Sequence, residues 1–313
     1  EILSAIGTVL ENGQFILGDE LSKFEKSFAA LSDAKYALGV ANGTDALFLS
    51  LKACGIQQGD EVITAPNSFL ASASSIVIAG AMPVFADVKE DFNLDPEKVE
   101  KAITSKTKAI IAVHLTGRPA PMDELMAIAK KHNLHIIEDS AQAIGAEYKG
   151  KPVGGFGTTG CFSLHPLKNL AAGGDGGVIT TNDEAIYKYL LVARNHGLKN
   201  RDECAFWSYN SRLDNMQAAL LNVKLKQLGK WTERRRTVAN LYYEQFKNLP
   251  MIVPHDKPYE KAVYHTFIIQ TEERNKLKEY LADKGIDTKI HYPVPIHLQE
   301  AAKDLGYKKG DFP

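Results

Sequence analysis

The stretch Cys161-Phe162-Ser163-Leu164-His165-Pro166-Leu167-Lys168-Asn169 places a lysine directly behind a short apolar run, and Gly173-Gly174-Asp175-Gly176-Gly177 follows it. The apolar run, Thr158–Ser163, predicts a strand, and Val178–Thr181 predicts another after the glycines. A lysine in this setting can lose its proton through desolvation and become an amine nucleophile that forms Schiff bases. The alternative is a solvated lysine at the exit of a strand.

Short apolar runs alternate with longer amphipathic runs through the first two thirds of the chain. The predicted strands are Tyr36–Val40, Glu61–Ala65, Pro83–Val88, Ala109–His114 and His135–Asp139. The predicted helices are Asp45–Ala53, Ala71–Ala79, Pro96–Thr104 and Met122–His132. This order predicts an α/β fold with a mainly parallel sheet sandwiched by helices. Ligands of such sheets lie beyond the carboxyl ends of the strands, where Asp139 and Lys168 fall.

The last part of the sequence predicts a smaller unit after a long connecting helix. A strand, a helix and a strand are predicted in turn at Tyr264–Gln270, Arg274–Lys284 and Thr288–Tyr292. We therefore expect a large α/β domain at residues 1–235 and a small α+β domain at residues 236–313. The first ~15 residues are expected to pack on the small domain.

Composition and charge exclude several classes of protein. The 313 residues carry a formal net charge of −1, so we expect neither nucleic acid nor an anionic membrane as a partner. Val62–Ala86 is uncharged, but its prolines, glycine and serines argue against a membrane span. Cys54, Cys161 and Cys204 are too few and too widely spaced for a disulfide framework or a zinc site. With no signal-peptide pattern visible, we expect a cytoplasmic protein without a metal.

Two further motifs suit a phosphorylated, aromatic, cationic cofactor, and each has a structural alternative. Asn42-Gly43-Thr44-Asp45 separates a strand from a helix, so it suits a phosphate or an ordinary helix cap. The sequence contains neither the P-loop motif of proteins that bind nucleoside triphosphates nor the glycine-rich motif of proteins that bind dinucleotides. Asp139, in Ile136-Ile137-Glu138-Asp139-Ser140-Ala141-Gln142, suits a protonated pyridine nitrogen, a helix cap or, more weakly, Mg²⁺.

Two other positions are ambiguous when taken alone. Phe69 follows a strand and suits either stacking on a flat ring or packing in the core. Asn210 lies in the polar segment Tyr209-Asn210-Ser211-Arg212-Leu213-Asp214, which reads as a loop before a helix. The order of all these motifs along the chain carries more information than any one of them does.

That order resembles the DegT/DnrJ/EryC1/StrS family, whose members are fold-type I enzymes that use pyridoxal phosphate (PLP) and mostly aminate sugars. The resemblance covers residues 1–313. Its core is Gly43-Thr44, Phe69, Asp139-x-x-Gln142, Ser163-x-x-x-x-Lys168 and Asn210. Further matches are Val113-His114-Leu115-x-Gly117-x-Pro119, Arg194-Asn195-His196-Gly197, Arg212-Leu213-Asp214, Gln217-Ala218-Ala219, His291-Tyr292-Pro293 and Gly310-Asp311-Phe312-Pro313.

The resemblance implies a role for each residue around the ring of the cofactor. Lys168 would bind PLP covalently as a Schiff base. Asp139 would pair with the pyridinium nitrogen, Gln142 would hydrogen-bond the phenolic oxygen, and Phe69 would stack on the ring. Lys168 and Asp139 would be the catalytic residues.

The resemblance also implies how the phosphate is held. Gly43, Thr44 and Ser163 would bind it from the same chain. Asn210 looks like the residue that family members reach across a dimer interface to the partner's cofactor phosphate. The protein would then be a homodimer with shared active sites.

The reaction implied is transamination, because relatives with His at the position of Lys168 are dehydratases. Glutamate would be the donor, and a nucleotide-linked 3- or 4-keto-deoxysugar the acceptor. Another cyclic ketone, of the inosose type, and a non-catalytic regulator of the same fold are alternatives. His165, His291 and Tyr292 are candidate substrate contacts or structural residues. Relatives continue past the segment that ends at Pro313, so the small domain is expected to be incomplete.

Overall fold

The computed structural model describes all 313 residues, and helices and strands alternate along most of the chain. The helices are α1 (Ile2–Asn12), α2 (Asp19–Leu31), α3 (Gly43–Ala53), α4 (Ala71–Ile78), α5 (Pro96–Ala102), α6 (Met122–His132), α7 (Glu184–Ala193), α8 (Asn215–Leu225), α9 (Leu228–Phe246) and α10 (Arg274–Asp283). The strands are β1 (Tyr36–Val40), β2 (Glu61–Thr64), β3 (Met82–Phe85), β4 (Thr107–Val113), β5 (His135–Asp139), β6 (Glu147–Tyr148), β7 (Lys151–Pro152), β8 (Thr159–Ser163), β9 (Gly177–Thr181) and β10 (Glu260–Lys261). Short 3₁₀ helices lie at Leu115–Gly117, Ile296–Leu298 and Glu300–Leu305.

The central sheet has seven strands in the order β1-β9-β8-β5-β4-β2-β3. Strands β8, β5, β4, β2 and β3 run parallel to one another, whereas β9 is antiparallel to both β8 and β1. Strand β9 reverses because the chain returns from β8 through a loop without a crossover helix. The mainly parallel α/β sheet predicted from the sequence is therefore confirmed.

The two faces of the sheet are covered by different helices. In β4, Ile111 and Val113 pack into a buried cluster that includes residues of α3 and α7. Ile110 and Ala112 point the other way, into a cluster that includes residues of α5 and α6. Successive residues of a strand face opposite sides, so a strand covered on both sides must be apolar throughout. The sequence of β4 meets that requirement from Ala109 to Val113, whereas Lys108 near its start is exposed.

The stretch 62–86, which lacks charge, forms β2, α4 and β3 rather than one long element. No helix of the chain combines the length and the apolar character needed to cross a membrane.

The C-terminal part differs from the prediction. Helix α10 forms where it was expected, but Tyr264–Gln270 and Thr288–Tyr292 are not strands. A strand requires backbone pairing with a neighbour, and Gln270 pairs only through an isolated bridge with Ile252. The pairing that does occur was not foreseen: β10 joins β6 and β7 in a second, three-stranded sheet.

Helix α1 packs against α8, within the range predicted as the large domain. Asn215, the first residue of α8, fixes this arrangement by hydrogen-bonding the chain that follows α1. Its backbone N–H donates to Phe15 O at 2.9 Å, and its side-chain amide donates to Gln14 O at 2.7 Å. The predicted boundary at residue 235 falls inside α9, and the division into two domains stays a prediction.

Candidate active site

A cavity of about 710 Å³ lies beyond the carboxyl ends of β5 and β8, where the sequence predicted a ligand. Seven of the eight predicted site residues line it: Gly43, Thr44, Phe69, Asp139, Gln142, Ser163 and Lys168. The eighth, Asn210, is exposed and does not line this cavity. The candidate substrate contacts His165, His291 and Tyr292 also face the cavity.

Lys168 sits in the loop that follows β8. Its backbone N–H donates to His165 O at 2.8 Å, which closes a turn and directs the side chain to the cavity. Burial lowers the pKa of the Lys168 amine, and the negative charge of Asp139 opposes this shift in part. The neutral amine is therefore present at a lower pH than in an exposed lysine.

Asp139 ends β5 and is only 6% exposed. Its Oδ2 accepts a hydrogen bond from Ser72 Oγ at 2.7 Å, and its Oδ1 accepts one from the backbone N–H of Ala141 at 3.2 Å. Each carboxylate oxygen therefore has one protein donor. Because a carboxylate oxygen can accept more than one bond, Asp139 can still accept from a ligand in the cavity.

Gln142 connects the two parts of the chain that enclose the cavity. Its Oε1 accepts from the Thr116 backbone N–H at 2.7 Å, and its Nε2 donates to Tyr292 Oη at 3.2 Å. The same Nε2 lies 3.4 Å from His291 Nε2. The bond to a cofactor oxygen that the resemblance implies stays a prediction, and the structure adds this bridging contact.

Two aromatic rings, those of Phe69 and Tyr292, line the cavity. The Phe69 and Tyr292 rings lie 5.9 Å apart at an angle of 48°, and Phe69 is 53% exposed. A ring with so much free surface at a cavity has room to stack on a flat ligand. Burial, with a smaller contribution from the charge of Asp139, raises the pKa of Tyr292 to about 12, so its hydroxyl stays protonated.

The cavity contains a cradle for an anion at the start of α3. Asn42 caps this helix, its Oδ1 accepting from the Asp45 N–H at 2.8 Å. The first N–H groups of a helix have no partner within it, and they favour a phosphate. A Cβ on Gly43 would lie 2.7 Å from Ser163 Cβ, closer than real Cβ contacts allow. Only glycine lets these two elements approach so closely.

The structure adds a residue that the sequence reading missed. His265 lines the cavity, and its Nδ1 is buried without a hydrogen-bond partner. Burial, reinforced by the positive charge of Lys168, lowers the pKa of His265 to about 3. Its imidazole is therefore neutral at physiological pH. Nothing in the local sequence marks it, because only the tertiary fold brings residue 265 to the cavity.

No group of three or more His, Cys, Asp or Glu side chains in the chain is arranged to hold a metal ion. The chemistry available in the cavity is that of an amine, carboxylates, imidazoles and a helix N-terminus.

The sequence matches the DegT/DnrJ/EryC1/StrS aminotransferase family over residues 1–313. It is 46% identical to the dTDP-3-amino-3,6-dideoxy-alpha-D-galactopyranose transaminase of Aneurinibacillus thermoaerophilus, covering 100% of this chain and 86% of that protein. It is also 46% identical to a protein of Geobacillus stearothermophilus named "Pleiotropic regulatory protein", covering 100% of this chain and 85% of the relative.

The fold is similar to solved structures as well. The crystal structure of S. venezuelae DesV in complex with a ketimine intermediate superposes with a TM-score of 0.97 at 42% identity. The match covers 100% of this chain and 85% of that one.

Proposed function

Because this chain belongs to the DegT/DnrJ/EryC1/StrS aminotransferase family, we propose that it transfers the amino group of glutamate to a nucleotide-linked keto-sugar. PLP is the cofactor of this reaction. The observation that carries the proposal is the single cavity in which Lys168, Asp139 and the start of α3 meet. A cyclic ketone of the inosose type is the alternative acceptor, since the same amine chemistry serves it.

The residues of the cavity fit PLP on three separate counts. The approach of Gly43 to Ser163 leaves a cradle for phosphate at the N-terminus of α3. Asp139 offers a buried carboxylate for the ring nitrogen. Burial lowers the pKa of the Lys168 amine. This favours the neutral amine, which is the form that attacks a carbonyl to form a Schiff base. We propose that Thr44 assists with the phosphate and that Phe69 covers the ring.

Bound PLP supplies a cationic ring that accepts the electron pair released when a bond to the donor's Cα breaks. Asp139 keeps the proton on the ring nitrogen, which maintains that positive charge. Lys168 anchors the cofactor between reactions. With PLP bound, the free amine of Lys168 would take the proton from the donor's Cα and would deliver it to C4′ of the cofactor. The lowered pKa of Lys168 suits this exchange, because the amine must both accept and release a proton.

A Gly43→Ala substitution should weaken PLP binding about 10- to 100-fold, the range expected for overpacking a tight contact. The added methyl group would meet Ser163 Cβ at 2.7 Å and push α3 away from the phosphate site. Titration of the cofactor-free protein with PLP, followed by fluorescence, measures the effect.

Gly229→Ala is the matched control, since Gly229 also lies near the start of a helix and a Cβ there meets nothing within 4 Å. It should leave PLP affinity unchanged and raise stability slightly, because alanine favours a helix over glycine. Equal affinities for Gly43→Ala and wild type would contradict the assignment of the phosphate site.

The active form is proposed to be a homodimer whose two sites are shared. Asn210 is exposed and does not line the cavity of its own chain. Two residues close to Asn210 in sequence are exposed aromatics, Trp207 (95% exposed) and Tyr209, and Leu167 at the cavity is exposed as well. Exposed aromatic residues beside a site are typical of a surface that a second chain covers. A partner seated there would receive Asn210 at its phosphate.

A cytoplasmic location is proposed for this enzyme. None of the three cysteines is paired, and Cys54 and Cys161 are shielded within the fold. Free thiols are the usual state of cysteines in a reducing compartment.

Glutamate alone tests the proposed function, because the first half of the reaction needs no sugar. Adding glutamate to the PLP-loaded protein should change the cofactor's absorbance and release one 2-oxoglutarate per site. Keto-sugars linked to dTDP, UDP or GDP, and an inosose, are then added in parallel to identify the ketone that restores the original spectrum. The name of the Geobacillus relative suggests a regulator as a second candidate. A protein that binds PLP but does not respond to glutamate would support that candidate.

A further inference from the structure

A pair of buried serines lies next to Asp139. Ser72, in the first turn of α4, is fully buried and donates from Oγ to Asp139 Oδ2 at 2.7 Å. Ser68, just before that helix, is nearly as buried, and its Oγ lies 2.7 Å from Ser72 Oγ. The three side chains form a continuous chain of short contacts from the cavity wall to the carboxylate.

The direction of the hydrogen bonds in this chain is fixed by counting protons. An ionised carboxylate only accepts, so the single hydroxyl proton of Ser72 is committed to Asp139. Ser72 can therefore only accept from Ser68, whose own proton points at Ser72 Oγ. Ser68 lines the cavity, and with its proton committed it offers only lone pairs there. Both protons are directed toward the carboxylate, and each bond polarises the next.

We propose that Ser72 is a positioning residue for Asp139, with Ser68 supporting it, and that this pair keeps the carboxylate turned toward the cofactor's ring nitrogen. The proposal rests on the function proposed above. The Asp139 carboxylate is otherwise held only by the longer bond from Ala141 N–H at 3.2 Å. Without Ser72, Oδ2 loses its short donor and the carboxylate plane is free to rotate.

Helix α4 provides an internal comparison for this proposal. Ser75 is as fully buried as Ser72 and lies on the same helix, but its hydroxyl reaches only Ser72 O, at 3.5 Å. Its loss removes a buried hydroxyl without touching Asp139. Ser75→Ala therefore controls for packing, and Ser72→Thr, which retains a hydroxyl, controls for the hydrogen bond itself.

The experiment compares Ser72→Ala, Ser72→Thr and Ser75→Ala with wild type, using PLP labelled with nitrogen-15 at the ring. Ser72→Ala should bind PLP about 10-fold more weakly, the scale set by one hydrogen bond to a charged group. Nuclear magnetic resonance should show its ring nitrogen losing the proton at a pH lower by about one unit. Ser72→Thr should recover most of both properties, and Ser75→Ala should behave as wild type.

Three outcomes distinguish an error in the positioning role of Ser72 from an error in the proposed function. Wild-type values for Ser72→Ala would overturn the positioning role, and so would equal losses in Ser72→Ala and Ser75→Ala, since these would trace to packing. Failure of the wild-type protein to bind PLP would instead overturn the proposed function. If the added methyl group of Ser72→Thr lowers stability, the comparison of Ser72→Ala with Ser75→Ala still tests the positioning role.

Discussion

A Lys168→Arg protein is expected to form no covalent bond with PLP and to lose activity by about 10⁴-fold or more, as when other nucleophiles of this kind are removed. Arginine keeps the length and the positive charge of the side chain but stays protonated at every relevant pH. The substitution therefore removes the nucleophile while largely preserving the electrostatics of the cavity. Borohydride reduction in the presence of PLP, followed by peptide mass analysis, should modify Lys168 in wild type and nothing in the variant.

Lys224→Arg is the matched control for burial. The pKa of Lys224 is also lowered by burial, but its amine donates to Ala171 O and it does not line the cavity. If burial alone made a lysine reactive, Lys224 would be trapped as well. We expect Lys224→Arg to keep the covalent adduct and the activity. An adduct that persists in Lys168→Arg would contradict the assignment.

Formation of the covalent bond between Lys168 and PLP should depend on pH in a predictable direction. An ammonium cannot attack an aldehyde, so attachment requires the deprotonated fraction of Lys168. Burial lowers the pKa of Lys168 from the ordinary value of 10.5, so this fraction appears at lower pH than in an exposed lysine. The rate of PLP attachment should rise with pH and level off below 10.5.

Much of the α/β sheet was predictable because its central strands are covered on both faces. Strands β1 and β5 begin and end at the predicted residues, because each contains a short apolar segment bounded by residues that favour turns. The convergence of Asp139 and Lys168 was predictable for a related reason. Parallel strands present their carboxyl ends at one edge of the sheet, so residues that follow β5 and β8 must meet there.

The C-terminal elements and the role of Ser72 could not be predicted, because they depend on contacts between segments that are distant in sequence. The runs at 264–270 and 288–292 have the apolar content of strands, but strand pairing depends on a neighbour that local sequence does not reveal. Ser72 lies in Ala71-Ser72-Ala73-Ser74-Ser75, where nothing distinguishes it from the other two serines. Only the packing of α4 against the end of β5 selects the serine that reaches Asp139.

A dimer built from one Lys168→Arg chain and one Asn210→Asp chain is expected to recover about half of the wild-type activity, although neither variant is active alone. One of its two sites would combine the intact Lys168 of the second chain with the intact Asn210 of the first. The other site would carry both changes. The aspartate matches asparagine in shape and places a negative charge beside the phosphate, which like-charge repulsion disfavours.

The two chains are co-expressed with different tags, and the mixed dimer is purified on both tags before assay at limiting PLP. If Asn210 instead served the site of its own chain, each site of the mixed dimer would carry one defect and no activity would return. The exposed position of Asn210, outside the cavity of its own chain, favours recovery. An Asn210→Asp protein that binds PLP as tightly as wild type would remove Asn210 from the phosphate site altogether.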